Sequence, residues 1–375
     1  MAVRDELKNV RRIVVKVGTS TLAYGPGRLN IMRMEKLVRE LADLSNQGKE
    51  MILVSSGAIA AGLGRLGLAE KPSAIPAKQA AAAVGQGVLM HIYEKMFSEY
   101  GKTMGQMLLT KENAVRHHQY INSRQALLAL LNMGIIPVIN ENDAVAVDEI
   151  KIGDNDNLSA MVATLVDADV LIILSDINGL YECDPQINPN ARLIDTVSEI
   201  TPEIERLAGG AGTKLGTGGM ATKIAAAQIA INAGVTMLIV PGAADNILHR
   251  VLSGEIVGTI FPAKAAHLKV RKSWLAFGKR LEGDIVVDEG AAQAMLTQGS
   301  SLLAAGITDV DGEFSAQSTV RILAPTGREI ARGIVNYDYL TVKNIAGQQT
   351  KDFAPTISGK VYEEVIHRDN MVLMA

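Results

Sequence analysis

The stretch Arg12-Ile13-Val14-Val15-Lys16-Val17-Gly18-Thr19-Ser20-Thr21 decides the fold class of this 375-residue chain. Four of its first six residues, Ile13, Val14, Val15 and Val17, are apolar and β-branched, which is typical of a strand buried in a parallel sheet. Lys16 interrupts the run just before a Gly/Thr loop. A lysine inside a buried strand is costly unless it is paired or functional. Two interpretations remain open: Lys16 reaches water from an edge strand, or the strand delivers it to a site.

A second loop of the same kind is Gly216-Thr217-Gly218-Gly219-Met220-Ala221-Thr222-Lys223, which leads into a helical pattern. Glycines let backbone N–H groups turn toward an anion, and a helix N-terminus adds partial positive charge. The lysine follows Thr222 instead of preceding a Ser or Thr, so the segment is not a Walker A loop. Alone it could be an ordinary loop and cap. Paired with Lys16, it favours a two-lysine clamp on a transferring phosphoryl group.

Strands alternate with helices through about residue 260, which predicts an αβα sandwich around a largely parallel open sheet. The expected strands are residues 13–17, 51–55, 104–109, 135–140, 170–175 and 237–240. The expected helices are residues 32–47, 77–100, 123–133, 158–166 and 221–233. Ligands of such sheets bind at the carboxyl ends of the strands. Polar residues gather at these ends here, including Ser55-Ser56-Gly57 and Ser175-Asp176.

The chain changes character after Pro262. We expect a catalytic unit over residues 1–262, a basic linker over 263–280 and a small unit over 281–375. Short strands at 283–287, 319–323, 329–335 and 370–373 predict a β-rich, barrel-like domain with one or two short helices. Its seven Lys/Arg against thirteen Asp/Glu give a net charge of −6. RNA binding is therefore not expected, because a phosphate-binding surface is normally basic.

The cellular setting is indicated by three absences in the sequence. Cys183 is the only cysteine, so no intrachain disulfide can form and a reducing cytoplasm is expected. The first twelve residues lack the apolar core of a signal peptide. No stretch of about 18 apolar residues runs uninterrupted, so no membrane span is expected.

An acidic cluster follows the fourth expected strand; its members are Asp143, Asp148, Glu149, Asp154 and Asp156. Asp143 ends an apolar strand, and Asp156 precedes a helix. Residues 144–153 alternate apolar with polar side chains, which predicts a hairpin flap over the site. Carboxylates placed in this way can bind an ammonium group, hold Mg²⁺ or orient the two lysines. A solvated acidic loop remains the alternative.

Several familiar motifs are absent or lack their context. Gly62-Leu63-Gly64-Arg65-Leu66-Gly67 matches the dinucleotide fingerprint, but no strand ends directly before it and no helix is expected after it. The chain has no HExxH pattern, cysteine cluster or GxSxG elbow. No histidine stands out as a general base. A carboxylate acceptor needs none, since its ordinary pKa is ~4 and it is already ionised. The pattern therefore fits phosphorylation of an acid.

Six motifs together carry a resemblance to a known family: VVKVGTS (14–20), SSGAIAAG (55–62), GQMLLT (105–110), PVINENDAV (137–145), IGDNDNLSA (152–160) and GTGGMATK (216–223). On these motifs the chain resembles the amino acid kinase family, and within it the glutamate-phosphorylating branch with a C-terminal PUA domain. The resemblance extends into the small domain through VDEGA (287–291) and HRD (367–369). It implies transfer of a phosphoryl group from ATP to L-glutamate, giving L-glutamyl 5-phosphate, the first step toward proline.

The resemblance also implies a role for individual residues. Lys16 and Lys223 would neutralise the phosphoryl group, and Asp156 would orient both lysines. Glutamate would be held by Ser56, Asp143 and Asn155. The ATP site would comprise Lys16, Ser175, Asp176, Thr217, Gly218, Gly219, Met220, Ala221, Thr222 and Lys223. Ser175 replaces the threonine usual in the family and keeps its hydroxyl.

Mg²⁺, feedback inhibition by proline and a homo-oligomer (dimer or tetramer) are further implications of the resemblance. Two alternatives stay open. The chain could be a sister kinase acting on aspartate, N-acetylglutamate or a nucleoside monophosphate. It could also be an RNA-binding regulatory protein that acts through its PUA domain.

Overall fold

The computed structural model describes residues 2–25, 27–110, 117–145, 155–185, 187–188, 190–208, 219–264, 281–316, 318–353 and 362–374. The chain divides into two compact units, Met1–Ala266 and His267–Ala375. Most of the predicted linker, residues 265–280, lies outside the described residues. The linker therefore stays a prediction.

A seven-stranded sheet forms the centre of the first unit. The strands of this unit are β1 (Arg12–Val17), β2 (Ala23–Gly25), β3 (Arg28–Leu29), β4 (Glu50–Ser55), β5 (Met104–Leu109), β6 (Ile136–Glu141), β7 (Val170–Ser175), β8 (Thr236–Pro241) and β9 (Thr259–Phe261). The sheet order is β5-β6-β4-β1-β7-β8-β9, while β2 and β3 pair separately. Every neighbouring pair in the large sheet is parallel except β8 with β9. All six predicted strands are confirmed to within one residue at each end, and the short edge strand β9 was not predicted.

Helices cover both faces of this sheet. They are α1 (Ala2–Glu6), α2 (Thr19–Leu22), α3 (Ile31–Asn46), α4 (Ala58–Leu66), α5 (Ile75–Glu99), α6 (His117–Asn132), α7 (Asn155–Leu165), α8 (Pro202–Ala208), α9 (Met220–Asn232) and α10 (Ile247–Leu252). Helix α3 packs on β4 and is flanked by α5 and α10. Helix α7 packs on β1 and β7 and against α9, which covers β8. The predicted αβα sandwich is confirmed, with all five predicted helices present.

Helix α4 was not predicted, because its sequence carries two internal glycines, which weaken a helix. The structure explains one of them by close packing. A Cβ on Gly62 would lie 1.9 Å from the carbonyl oxygen of Ala81 in α5. The dinucleotide-like match lies at the end of α4, where Gly67 is a left-handed cap. Its strand–turn–helix context is thus absent, as the sequence indicated.

Strand alternation places Lys16 on the face where the site forms. Ile13, Val15 and Val17 belong to the apolar core shared with α3 and α5. Because successive side chains of a strand point to opposite faces, Val14 and Lys16 face the other layer. That layer begins with α7, which packs on β1.

The second unit has its own sheet and its own core. Its strands are β10 (Gly283–Val287), β11 (Ile307–Gly312), β12 (Thr319–Leu323), β13 (Glu329–Ile334) and β14 (Met371–Leu373), in the order β11-β10-β12-β13-β14. Its described helices are α11 (Glu289–Gln298), α12 (Tyr339–Ile345) and α13 (Thr350–Phe353). The sheet is mixed, since β10 and β12 are parallel and the other pairs antiparallel. The small β-rich domain is confirmed, but three described helices replace the predicted one or two.

Strand β11 escaped prediction because only Ile307 and Val310 are buried in it. The remaining residues of the strand are polar or glycine and carry no clear alternation. In the part of the chain that the structure describes, no helix has the length and apolar character needed to cross a membrane.

Candidate active site

One buried carboxylate joins the two lysines that the sequence singled out. Asp156 lies in the first turn of α7 and is fully buried. Lys16 Nζ is 2.5 Å from Asp156 Oδ1, and Lys223 Nζ is 3.2 Å from Oδ2. Both lysines are only 5% exposed. The two Gly/Thr loops, far apart in the sequence, therefore deliver their lysines to one point.

The charge balance of this trio is positive. Burial would raise the pKa of Asp156, but the charges and hydrogen bonds of Lys16 and Lys223 outweigh it and lower that pKa to about 2. The carboxylate is therefore ionised at neutral pH. Two ammonium groups around one carboxylate leave an excess positive charge beside the carboxyl ends of the strands. Such a point favours the oxygens of a phosphoryl group.

The second glycine loop is described only from Gly219 onward, so Thr217 and Gly218 lie outside the described residues. Gly219 caps α9 in an extended conformation without a side-chain cap. The Thr222 hydroxyl is 2.7 Å from the carbonyl oxygen of Gly219 and 3.0 Å from Asp156 Oδ2. Met220 and Ala221 form the first turn of α9. The start of this helix is thus tied to the same carboxylate as the lysines.

The loop after β1 is shaped by hydrogen bonds to one carbonyl. The backbone N–H groups of Thr21 and Leu22 both donate to Gly18 O, which closes the short helix α2. A Cβ on Gly18 would lie 3.6 Å from Lys16 Nζ. The glycine therefore leaves room beside the amine for a ligand. A larger side chain would enter that space.

Ser175 and Asp176 lie at the carboxyl end of β7, the strand next to β1. Ser175 is buried, and its hydroxyl lies 3.3 Å from Asp176 Oδ1 and accepts a hydrogen bond from the backbone N–H of Ile177 at 3.4 Å. Asp176 itself is exposed. The strand order reverses between β1 and β7, since β4 to β6 lie on one side of β1 and β7 to β9 on the other. Open α/β sheets bind ligands at such a point.

Side-chain amides link four elements on the other side of β1. Asn155 Nδ2 donates to Ser56 Oγ at 2.7 Å and to Asn140 Oδ1 at 3.0 Å. Asn140 Nδ2 donates to Gln86 Oε1 at 2.8 Å. This amide relay, Ser56–Asn155–Asn140–Gln86, joins β4, α7, β6 and α5. Its Asn155 end directly precedes Asp156.

Asp143 lies after β6 and is partly exposed. Burial raises its pKa, and the positive charge of Lys71 opposes the rise. Among the described residues, Asp143 has no hydrogen bond to the amide relay. The predicted flap is described only at Ala144 and Val145, which are exposed. Its remainder lies outside the described residues, together with the acidic residues at 148, 149 and 154.

Two residues near the site carried no sequence signal. Gln86 and Tyr93 lie on α5, whose composition is mostly apolar. The Tyr93 hydroxyl is 2.9 Å from Ser55 Oγ, and both residues are fully buried. Burial raises the pKa of Tyr93, so it is a neutral partner for the serine. Only the tertiary packing of α5 against α4 reveals that these side chains reach the ends of β4 and β6.

Comparison with known proteins assigns the family. Residues 11–241 match the model of the amino acid kinase family, and residues 283–355 match the PUA domain. The chain belongs to the amino acid kinase family. The positive cluster at the carboxyl ends of β1 and β7 is thus the candidate active site of an amino acid kinase.

Three relatives resemble this amino acid kinase over nearly its full length. It is 53% identical to the glutamate 5-kinase of Caldanaerobacter subterraneus subsp. tengcongensis, over 97% of this chain and 98% of the relative. It is 50% identical to the glutamate 5-kinase of Moorella thermoacetica, over 99% of this chain and 98% of the relative. It is 53% identical to the glutamate 5-kinase of Carboxydothermus hydrogenoformans, over 99% of this chain and 100% of the relative.

Proposed function

We propose that this amino acid kinase transfers the γ-phosphoryl group of ATP to the side-chain carboxylate of L-glutamate, giving L-glutamyl 5-phosphate. The observation that carries the proposal is the pair of buried lysines held by Asp156. Three relatives at 50% identity or more, all named glutamate 5-kinase, support the choice of glutamate.

The chemistry follows from the charges around the lysines. A carboxylate oxygen of glutamate attacks the γ-phosphorus, the bond from that phosphorus to the β–γ bridging oxygen breaks, and ADP leaves with the electron pair. Lys16 and Lys223 would neutralise the oxygens of the group in flight, while Asp156 fixes both amines. No proton has to be removed from the nucleophile, because a carboxylate with an ordinary pKa of ~4 is ionised at neutral pH. A general base is therefore not needed.

The nucleotide would lie over the carboxyl ends of β1 and β7, within reach of the start of α9. The residues proposed to bind it are Lys16, Ser175, Asp176, Gly219, Met220, Ala221, Thr222 and Lys223, together with Thr217 and Gly218. The extended Gly219 backbone and the helix N-terminus suit phosphate oxygens. Lys223 serves the transferring group because it lies one turn inside the helix.

Mg²⁺ would enter with the ATP phosphates. Across the described residues, no three His, Cys, Asp or Glu side chains converge as a metal site. Both oxygens of Asp156 already face lysines. Such a set of residues fits an ion held mainly by phosphate oxygens and water, which is how Mg²⁺ commonly binds in kinases. When bound, the ion would neutralise phosphate charge.

Glutamate would bind on the amide side of the site. Ser56 and Asn155 offer a hydroxyl and an amide, and Asp143 offers a carboxylate for the α-ammonium group. A sister specificity for aspartate or N-acetylglutamate is the runner-up. N-acetylglutamate fits the site less well than glutamate, because acetylation removes the positive charge of the α-ammonium group that Asp143 is proposed to meet.

We further propose feedback inhibition by proline, a homo-oligomer and a cytoplasmic location. Proline is the expected end product of a route that begins with glutamyl phosphate. It resembles glutamate in its α-carboxylate and α-nitrogen. Cys183 is exposed and free, and it would stay reduced in the cytoplasm.

The PUA domain is proposed not to bind RNA strongly. Its net charge is −6, and two of its arginines are paired with carboxylates of the same domain. Arg321 forms a bidentate ion pair with Asp284 on the neighbouring strand, and Arg332 pairs with Glu329 on its own strand. A filter-binding assay at low salt tests this expectation. Nanomolar, salt-sensitive binding would contradict it.

A hydroxamate assay tests the proposed function. The protein is incubated with Mg·ATP and hydroxylamine, which captures acyl phosphates, and with glutamate, aspartate or N-acetylglutamate in turn. Glutamate should give by far the highest ATP-dependent rate, and added proline should lower it. Equal rates with aspartate and glutamate, or no hydroxamate from glutamate, would contradict the proposed function.

A further inference from the structure

Backbone groups fix the direction of the amide relay. The backbone N–H of Glu141 donates to Asn140 Oδ1 at 2.9 Å. An N–H group can only donate, so the Asn140 oxygen must face it and Asn140 Nδ2 must face Gln86. Gln86 accordingly accepts through Oε1 at 2.8 Å. Its Nε2 group is the end of the side chain that remains for another partner.

The other end of the relay is fixed in the same way. Asn155 Nδ2 lies 3.2 Å from the carbonyl oxygen of Ser55, which can only accept, and it shares its two hydrogens among that oxygen, Ser56 Oγ and Asn140 Oδ1. Asn155 Oδ1 is therefore turned elsewhere. Gln86 Nε2 and Asn155 Oδ1 are both buried, and neither has a hydrogen-bond partner among the residues that the structure describes. Within the described ranges, the relay therefore presents one donor and one acceptor without a partner.

Close packing brings Gln86 to this position. A Cβ on the preceding residue, Gly85, would lie 1.8 Å from the carbonyl oxygen of Ala58. Glycine at 85 therefore lets α5 contact the first turn of α4 directly. That turn begins just after Ser56, so Gln86 reaches the carboxyl end of β6 and bonds to the buried Asn140.

We propose that Gln86 is a substrate-binding residue whose Nε2 donates to the α-carboxylate of the amino acid substrate. This inference rests on the proposed function. An amino acid offers a carboxylate that accepts and an ammonium that donates, which complements Gln86 Nε2 and Asn155 Oδ1. The reacting carboxylate belongs beside the lysines of Asp156, next to the Asn155 end. Counted from Asn155 along the hydrogen bonds of the relay, Gln86 is the member farthest from the lysines. This position suits the α-carboxylate, which does not react.

The variant Gln86→Glu isolates the donor. It keeps an oxygen that accepts from Asn140 Nδ2 and replaces only the Nε2 donor, by a carboxylate oxygen. The KM for glutamate should rise about tenfold or more, since a hydrogen bond to a charged group is exchanged for repulsion. The kcat and the KM for ATP should change little. Isoglutamine, the α-amide of glutamate, should bind the variant better than it binds the wild type, because an amide can donate to the new carboxylate.

Two further variants keep the test decisive. Gln86→Met removes donor and acceptor, and it should raise the KM for glutamate without improving isoglutamine. Gln125→Glu adds the same charge at an exposed position of α6 and should leave both constants unchanged. Thermal midpoints check that each variant is folded.

The outcomes separate this inference from the function on which it rests. Absence of glutamate-dependent hydroxamate with the wild type would refute the proposed function and this inference with it. If the wild type is active, a glutamate KM for Gln86→Glu within twofold of the wild type would refute the role of Gln86 alone. An equal loss for glutamate and isoglutamine would also refute it, since that result indicates a general disturbance of the site.

Discussion

Lys16 at the end of β1 and Asp156 in the first turn of α7 form a buried ion pair, with 2.5 Å between Nζ and Oδ1. Breaking a buried pair is costly because the remaining charge has no compensation. Asp156 also holds Lys223 and lies within hydrogen-bond distance of the Thr222 hydroxyl. One carboxylate therefore organises the charges contributed by two distant loops.

Replacing this carboxylate should disable the site while keeping its shape. We expect Asp156→Asn to lower kcat by about 100-fold or more, because both lysines lose their fixed positions. The variant should also unfold more easily, since two buried ammonium groups lose their partner. Steady-state kinetics and urea unfolding at neutral pH measure both effects. A variant with wild-type kcat would show that the lysines need no such anchor.

The buried carboxylate of Asp156 also predicts that the free energy of unfolding falls in acid. The pKa of Asp156 in the fold, about 2, lies below the ordinary 3.8. The ionised carboxylate therefore stabilises the fold fully above about pH 4, by about 2 kcal/mol, and this contribution is lost as the pH falls through about 2. The difference in unfolding free energy between wild type and Asp156→Asn should shrink accordingly toward acid. A difference that stays constant between about pH 6 and about pH 2 would contradict the lowered pKa of Asp156.

Lys223 is expected to act on the transition state more than on substrate binding. Lys223→Ala should reduce kcat by about 100- to 1,000-fold and change the KM for glutamate far less. Lys95→Ala, at an exposed position on α5, is the matched control and should behave as wild type. A change confined to KM would remove Lys223 from the phosphoryl group.

Asp143 should govern glutamate affinity and its pH dependence. Burial raises its pKa above the ordinary 3.8, so Asp143 takes up a proton earlier than most aspartates as the pH falls. Protonation would remove the charge proposed to meet the α-ammonium group. Asp143→Asn should therefore raise the KM for glutamate at neutral pH with little change in kcat. The ratio of variant to wild-type KM should decline toward one in acid, and a ratio independent of pH would count against this role.

The positions of the two lysine loops could be predicted from sequence because each combines a local strand or helix signal with a Gly/Thr run. Local patterns alone do not place both lysines on Asp156, because that meeting depends on β1 lying beside β7 and on α7 packing against α9. The resemblance to the amino acid kinase family supplied that expectation. Gln86 gave no signal at all. Its proposed role depends on backbone contact between α4 and α5, which glycine and alanine permit but from which the contact cannot be predicted.

Gly85 offers a test of that backbone contact. Gly85→Ala places a Cβ 1.8 Å from Ala58 O and 2.3 Å from the Gly62 nitrogen, so the helices must separate. We expect a loss of about 1–3 kcal/mol in unfolding free energy and a higher KM for glutamate. Gly87→Ala is the matched control on the same helix, because nothing lies within 4 Å of its added Cβ. It should be neutral or gain about 0.5–1 kcal/mol. Equal stability of the two variants would contradict the close contact.

In the proposed reaction, a glutamate carboxylate oxygen attacks the phosphorus held by the lysine pair. The most direct test supplies glutamate labelled with heavy oxygen in both positions of the side-chain carboxylate, together with ATP and hydroxylamine. Hydroxylamine cleaves the acyl phosphate at carbon, so the bridging oxygen leaves with the phosphate. Phosphorus NMR of the released phosphate should show one heavy oxygen in each molecule formed in a glutamate-dependent manner. Phosphate without heavy oxygen would mean that water is the acceptor and would contradict the account.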